Sequence, residues 1–332
     1  MTLAGVGATL TTFLDALGAG DEDAAVAVAH AEVDAGGDPV QTMFDLVVPA
    51  QREVGRRWAV GDWTVAQEHA ATAVSEAVVA ALAARAEWPP PTRGHVVVAC
   101  AEREWHSLPA RMVTHALRAA GWRATYLGAS TPPGQLARYL DETGADAVAI
   151  SCSVVKALPA ARRMIEAVRE SGRPVLAGGP AFGADARRAL ALGATAWAAD
   201  AQSAVAELER ITPGTGPCEP LRHAGADEHL EIMLRFADFR RGALDRWRQG
   251  AAVPVSGELA EDLAEHALHA LAASLLADDR TVLLDADRWL VDLFTARGHD
   301  PLLAPRLWRA VRETVGELLP QARADLAVVA RG

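Results

Sequence analysis

The chain has 332 residues, 51% of them hydrophobic, enough for two or three domains that each bury a core. A net charge of −11 and a pI near 5.4 exclude the basic face that a nucleic-acid surface requires. Cys100, Cys152 and Cys218 are odd in number and far apart, which excludes a disulfide framework or a zinc site. No signal peptide and no apolar run of about 18 residues is found, so no membrane span and a cytoplasmic location are expected.

Residues 1–88 read as helices with almost no strand signal. Leu10, Phe13, Leu14 and Leu17 make an apolar stripe that stops at Gly18-Ala19-Gly20, and Asp21 caps a second helix over residues 24–35. Gly36-Gly37-Asp38-Pro39 breaks that helix; a third is predicted from about residue 40 to 58 and a fourth from about 64 to 86. Short connections between four helices predict an antiparallel bundle, closed by a stiff linker at Pro89-Pro90-Pro91. On residue types alone, residues 54–69 are a helix, a tight turn at Gly61-Asp62 and a new helix capped by Thr64.

Residues 92–212 alternate strand and helix patterns, as a doubly wound parallel sheet does. Strands are predicted at 95–101, 123–127, 147–151, 174–177 and 194–198, and helices at 109–120, 132–143, 157–171, 184–192 and 201–210, in a flavodoxin-like order. Such sheets bind ligands beyond the carboxyl ends of their strands. Three loops on that edge carry small or polar residues: 102–109 after the first strand, Ser151-Cys152-Ser153 after the third and Gly178-Gly179-Pro180 after the fourth. His106, in the first loop, is a candidate ligand to a large cofactor, and paired glycines let backbone approach a ligand with no Cβ between. No GxGxxG and no phosphate-binding loop is present, which disfavours dinucleotides and nucleoside triphosphates. The lysine that a receiver domain places after its last strand is absent too: Lys156 is the only lysine in the chain.

The three loops resemble those of the cobalamin-binding domain, whose pattern is Asp-x-His-x-x-Gly, then Ser-x-Leu, then Gly-Gly. Here they read Glu104-Trp105-His106-Ser107-Leu108-Pro109, Ser151-Cys152-Ser153 and Gly178-Gly179. The resemblance implies His106 as lower cobalt ligand in place of the cofactor's own base, with Glu104, or failing that Glu102, as its carboxylate partner. It also implies a nucleotide tail lying in the sheet beside the serine and glycine loops, so that Trp105, Ser107, Leu108, Ser151, Ser153, Val154, Gly178, Gly179 and Pro180 make up the expected contact set. An imidazole suits such a metal, and a neighbouring carboxylate fixes its tautomer and basicity. Pro109 stands where the family has glycine, and Ser153 where it has leucine.

In the helical segment, Trp58, nine further residues and then Glu68-His69 resemble the W-x9-E-H pattern of the CarH-type light sensors, which also carry Glu two residues before the axial histidine. This resemblance implies a bundle that caps the upper face of adenosylcobalamin, with Trp58, Glu68 and His69 around the 5′-deoxyadenosyl group. An indole supplies a flat apolar wall, and a carboxylate can pair with a ribose or adenine edge. Ala59 stands where those sensors place a second histidine, which leaves His69 as the nearest candidate for that position. The chain begins inside the bundle with no DNA-binding segment ahead of it, so no direct contact with nucleic acid is expected.

Pro213-Gly214-Thr215-Gly216-Pro217 marks a linker, and residues 220–332 read as all-helical, a bundle or a globin-like fold, with helices at 227–249, 257–277, 279–296 and 305–330. The plain reading of its arginines, histidines and tryptophans is a solvated basic face, surface imidazoles and core indoles. A cobalamin module followed by a small helical domain is similar to the photocobilins, which add a bilin to cobalamin. That similarity makes Arg240, Arg241, His266, His269 and Trp289 candidate contacts for biliverdin, because guanidinium forks match propionates and aromatic walls suit a tetrapyrrole. Cys218 lies in the linker, so non-covalent binding is expected. The function implied is a non-enzymatic photoreceptor acting through a homo-oligomer or a downstream signalling protein. The alternative is a corrinoid protein that carries methyl groups for a methyltransferase system.

Overall fold

The computed structural model describes residues 3–212, 214–249, 255–316 and 318–330. The first segment holds α1 (Leu3–Ala19), α2 (Glu22–Asp34), α3 (Pro39–Thr42), α4 (Val48–Ala59) and α5 (Val65–Arg85). Helix starts are set by side chains that take up otherwise unpaired amides: Asp21 accepts from Ala24, Asp38 from Gln41, and Thr64 and Gln67 form a reciprocal capping box. The predicted third helix is one run from α3 to α4 through a π-helical stretch, Met43–Val47. Such a wide turn shifts the side chains after it around the axis and is frequent at functional sites. Phe13, Leu17, Met43, Val54, Val78 and Leu82 form the bundle core, and Leu108 and Met112 from the next segment pack into it.

The second segment is a five-stranded parallel sheet of order β2-β1-β3-β4-β5, made of β1 (His95–Cys100), β2 (Arg123–Tyr126), β3 (Ala147–Ser151), β4 (Val175–Gly178) and β5 (Ala196–Ala198). Helices α6 (Leu108–Ala119), α7 (Pro133–Thr143), α8 (Leu158–Glu170), α9 (Arg187–Ala191) and α10 (Ala201–Arg210) follow the strands in turn. Successive β1 side chains point to opposite faces: Val96, Val98 and Cys100 pack with α6 and α10, while Val97 and Ala99 pack with α7 and α8. Cys100 pairs with Ser151 and Ser151 with Gly178, so the three loops leave the sheet at one level. Helix α9 is shorter than the predicted 184–192, because Gly183 at φ +85° and Asp185, which accepts from the Arg187 amide, keep the chain irregular before it.

The third segment holds α11 (Ala224–Leu234), α12 (Phe236–Gln249), α13 (Gly257–Ala277), α14 (Thr281–Ala296), α15 (Leu303–Val315) and α16 (Pro320–Asp325). The single helix predicted over 227–249 breaks at Arg235 (φ −109°), which lets α11 pack on α13 and α12 pack on both α13 and α15. The helix predicted over 305–330 ends at Val315, with Gly316 at φ +56°. Helical backbone resumes at Pro320, where the Glu228 carboxylate accepts from the amides of Gln321 and Ala322. The arginines stay at the surface and pair with acids, Arg280 with the buried Asp325 at 2.7 Å and Arg240 3.7 Å from Glu261, whereas the expected surface imidazoles are corrected: His266 and His269 are packed inward on Trp289 and Phe236. Among the described residues no helix is long and apolar enough to cross a membrane.

This helical segment is fused to the sheet. One apolar cluster runs from Val97 through Leu158 and Ile165 to Leu268, Leu271 and Trp308. Arg188, 3% exposed, reaches across the same boundary, donating to the Ala181 carbonyl and to Asp279 and Thr281. The bundle has a core of its own and meets the third segment through Trp58, whose ring stacks on Trp289 at 6.5 Å. Arg297 donates there to the carbonyls of Trp58 and Ala59.

Burial of three imidazoles makes the fold acid-sensitive. It holds His115, His266 and His269 at about 4, with neighbouring cations (Arg118 and Arg111 for His115, Lys156 for the other two) acting in the same direction. An unfolded chain protonates these rings near pH 6.5, so it binds more protons than the native state between pH 6.5 and 4, and stability falls across that window as pH is lowered. Urea unfolding at pH 5 is expected to show a loss on the order of 2 kcal/mol per ring relative to pH 7. Equal stability at the two values would show that the rings are charged in the native state.

Candidate functional site

The loop after β1 turns sharply. The Glu104 amide donates to the Ala101 carbonyl, Arg103 adopts φ +65°, and Glu104 swings fully beneath the surface. Its carboxylate is shared between two loops: Oε1 accepts from the His106 amide at 2.9 Å and from Nδ1 at 2.6 Å, and Oε2 accepts from the amides of Ser153 at 2.6 Å and Val154 at 3.0 Å. Burial on its own would raise the Glu104 pKa, but those donors hold it below the ordinary carboxylate range. The same hydrogen bond raises the pKa of His106 against the effect of burial. In the neutral ring Nδ1 therefore carries the proton, leaving the Nε2 lone pair on a side chain that is 57% exposed. An imidazole held from behind by a buried carboxylate and open in front has the donor pattern of a metal-ligating histidine.

Beside this loop, an apolar cavity of about 460 Å³ opens between the sheet edge and the bundle. Its floor is the ends of β3, β4 and β5, where Ser151, Gly178, Gly179 and Pro180 line it, and Leu108 and Met112 form a side wall. Gly179 sits at φ +106°, and a Cβ there would run into the Cys152 carbonyl, so only glycine lets the loop pass this close to the next strand. The opposite wall comes from the π-helical stretch and the start of α4. A histidine open at Nε2 next to a deep apolar slot fits a planar metal macrocycle bearing a ring-containing tail. Burial pushes Cys100 up to about 12 and Cys152 well above the usual thiol range, so neither offers a thiolate.

The bundle faces the same loop. Ser107 Oγ donates to Glu76 on α5, and Tyr126 donates to the Ser107 carbonyl, which ties loop, sheet and bundle together. Glu68 is near enough for its charge to raise the pKa of His106, and it accepts from Thr72. His69 points outward, 69% exposed, with Nε2 3.6 Å from Glu68. Trp58 is half-buried against Trp289 and Arg297.

Residues 94–209 match the model of the B12 binding domain, and residues 9–83 match a second model with the same description. The sheet segment is a B12-binding domain, with the helical bundle matched beside it. Over 147 residues the chain is 31% identical to the HTH-type transcriptional repressor CarH of Myxococcus xanthus, covering 43% of this chain and 48% of that protein, so it spans about half the length of this curated relative. The monomethylamine corrinoid protein of Methanosarcina barkeri has the same fold at 16% identity and a TM-score of 0.53, covering 60% of this chain and 96% of that one.

Against these B12-binding domains, the residues expected to line the site divide into groups. Glu104, His106, Ser107 and Leu108 lie on one loop and helix start, and Ser151, Gly178, Gly179 and Pro180 line the cavity. Ser153 and Val154 contribute backbone amides to Glu104. Trp105 is 71% exposed on the loop. In the third segment, His266 packs on Trp289 at 4.4 Å between ring centroids and His269 packs on Phe236 at the same separation. Arg240 reaches Glu265, which also neighbours His269, whereas Arg241 is 70% exposed and binds Asp238, away from that cluster. Phe236, Arg297 and Glu76, together with Lys156 near both histidines and Arg103 near His269, carried no signal in the sequence, because each meets its partner across 31 or more positions that no spacing rule links.

Proposed function

We propose that the chain is a light sensor that holds adenosylcobalamin between sheet and bundle, with His106 below cobalt and Glu68, His69 and Trp58 on the upper side. The supporting observation is the Glu104–His106 pair, which holds Nδ1 and leaves the Nε2 lone pair of a half-exposed ring open. The CarH-like spacing of Trp58 and Glu68-His69 then favours an adenosyl ligand. Bound adenosylcobalamin supplies a cobalt–carbon bond that visible light breaks. Glu104 holds the imidazole in register, Ser107 and Glu76 fasten the bundle to the ligand loop, and the Trp58 contact with Trp289 and Arg297 links the bundle to the third segment. Motion of the bundle would thus be felt by a body that is otherwise rigidly joined to the sheet.

The proposal extends to a bilin on the third segment, with His266, His269, Trp289 and Arg240 as contacts. Its support is the buried, unpartnered Nε2 of His266 beside an indole, and the cations Lys156 and Arg103 nearby, which suit propionates. Protein loaded with adenosylcobalamin in the dark is expected to change its absorption spectrum under green light, and biliverdin is expected to add a band beyond the corrinoid region. An unchanged spectrum after illumination, with methylcobalamin retained in preference to the adenosyl form, would instead favour a methyl carrier. No added band would remove the bilin.

A further inference from the structure

The cavity beside the His106 loop has one wall that the sheet does not supply. Phe44, Val47 and Val48, from the π-helical stretch and the start of α4, close it from the bundle side, and Gln51 and Arg52 follow one turn later. The π turn sets this register: the extra residue rotates α4 so that Val48, Gln51 and Arg52 share the side facing the sheet.

The polar groups in that lining are few, and most are already engaged. Gln51 donates to Ser75 and accepts from Thr72, both within the bundle. Asp200, the only acidic residue among the described residues of the lining, caps α10 by accepting from the amide and hydroxyl of Ser203. Among the described residues Arg52 is the only basic one there, is exposed, and makes no hydrogen bond or ion pair. Its neighbours on α4 behave differently, since Arg56 and Arg57 both bind Glu53. A free guanidinium at the rim of an apolar slot is a site for an anion whose attached group is apolar.

Cobalamin has that composition. Its nucleotide tail joins an apolar benzimidazole to the corrin through a single phosphodiester. We infer that Arg52 binds the phosphodiester of this tail while the benzimidazole fills the cavity, so the tail itself clamps the bundle to the sheet. The inference rests on the cobalamin reading and adds a ligand contact from the bundle. The bundle would then sense whether a complete cofactor is seated, independently of what occupies the upper face.

The test compares wild type and Arg52→Gln in the dark, titrating each with adenosylcobalamin and with adenosylcobinamide, which lacks the nucleotide and its phosphodiester. Circular dichroism establishes that the variant is folded, as the exposed position predicts. Wild type is expected to bind adenosylcobalamin more tightly than adenosylcobinamide. Arg52→Gln is expected to lose about tenfold for adenosylcobalamin and nothing for adenosylcobinamide, with Arg52→Lys recovering part of the loss. An unchanged affinity for adenosylcobalamin, or an equal loss for both compounds, overturns the role of Arg52 while leaving the cobalamin reading intact. If wild type binds neither compound, both fall.

Discussion

Replacing His106 by alanine is expected to weaken cobalamin binding by about 100-fold or more while leaving the fold intact. Its ring is 57% exposed and contributes little packing, so the loss should appear in ligand affinity and not in unfolding. Glu104→Gln should cost about 10- to 100-fold, because an amide can no longer accept from all four donors on two loops. Glu104→Ala should destabilise as well, by leaving the amides of Ser153 and Val154 without their acceptor in the interior. Equilibrium titration and the visible spectrum of the bound cofactor measure the first effect, and urea unfolding measures the second. If His106→Ala binds cobalamin with wild-type affinity and spectrum, the imidazole is not the lower ligand.

Arg188→Ala is expected to lower stability by about 3–5 kcal/mol, the usual consequence of removing one partner from a buried charge pair. Four groups would lose their donor or countercharge: the Ala181 carbonyl at 2.6 Å, Asp279 at 3.0 Å, Thr281 at 3.1 Å and Asp285 at 3.6 Å. Burial favours the neutral form of Asp279, but its bonds with Thr281 and Arg188 hold its pKa below the ordinary range, so the variant leaves a charge in a poorly solvated place. Arg188→Lys should recover little, since one ammonium cannot reach acceptors spread around a planar fork. The urea midpoint decides this, and a shift of less than ~1 kcal/mol would mean that water takes over the vacated site. Because Ala181 follows the glycine loop of the cavity directly, the same variant should loosen the contact between that loop and the third segment.

Much of the site was legible because its determinants are local. Glu104 and His106 are two residues apart on a tight loop, and the carboxylate–imidazole bond that the family resemblance implied is the one formed. The strand pattern placed Ser151 and Gly178 on one edge because parallel pairing in a flavodoxin-like order puts every strand end on the same side. The parting of α11 from α12 was not legible: Leu234, Arg235 and Phe236 carry no glycine or proline, and the break answers to packing against α13 and α15. Arg241 looked equivalent to Arg240 in the sequence, yet a rotation of about 100° along the helix carries it to solvent and to Asp238.

The sequence by itself determined the helical bundle, the parallel sheet, the loop histidine and the paired glycines at the sheet edge, because each depends on residues close in the chain. Tertiary structure alone decided that Glu104 also ties down the Ser153 loop, that Trp58 is held by Trp289 and Arg297, and that Arg52 lines the cavity with no ion pair among the described residues. These are pairings between segments brought together by burial of apolar faces. Which polar groups meet depends on how those faces seat, a quantity that no local spacing encodes.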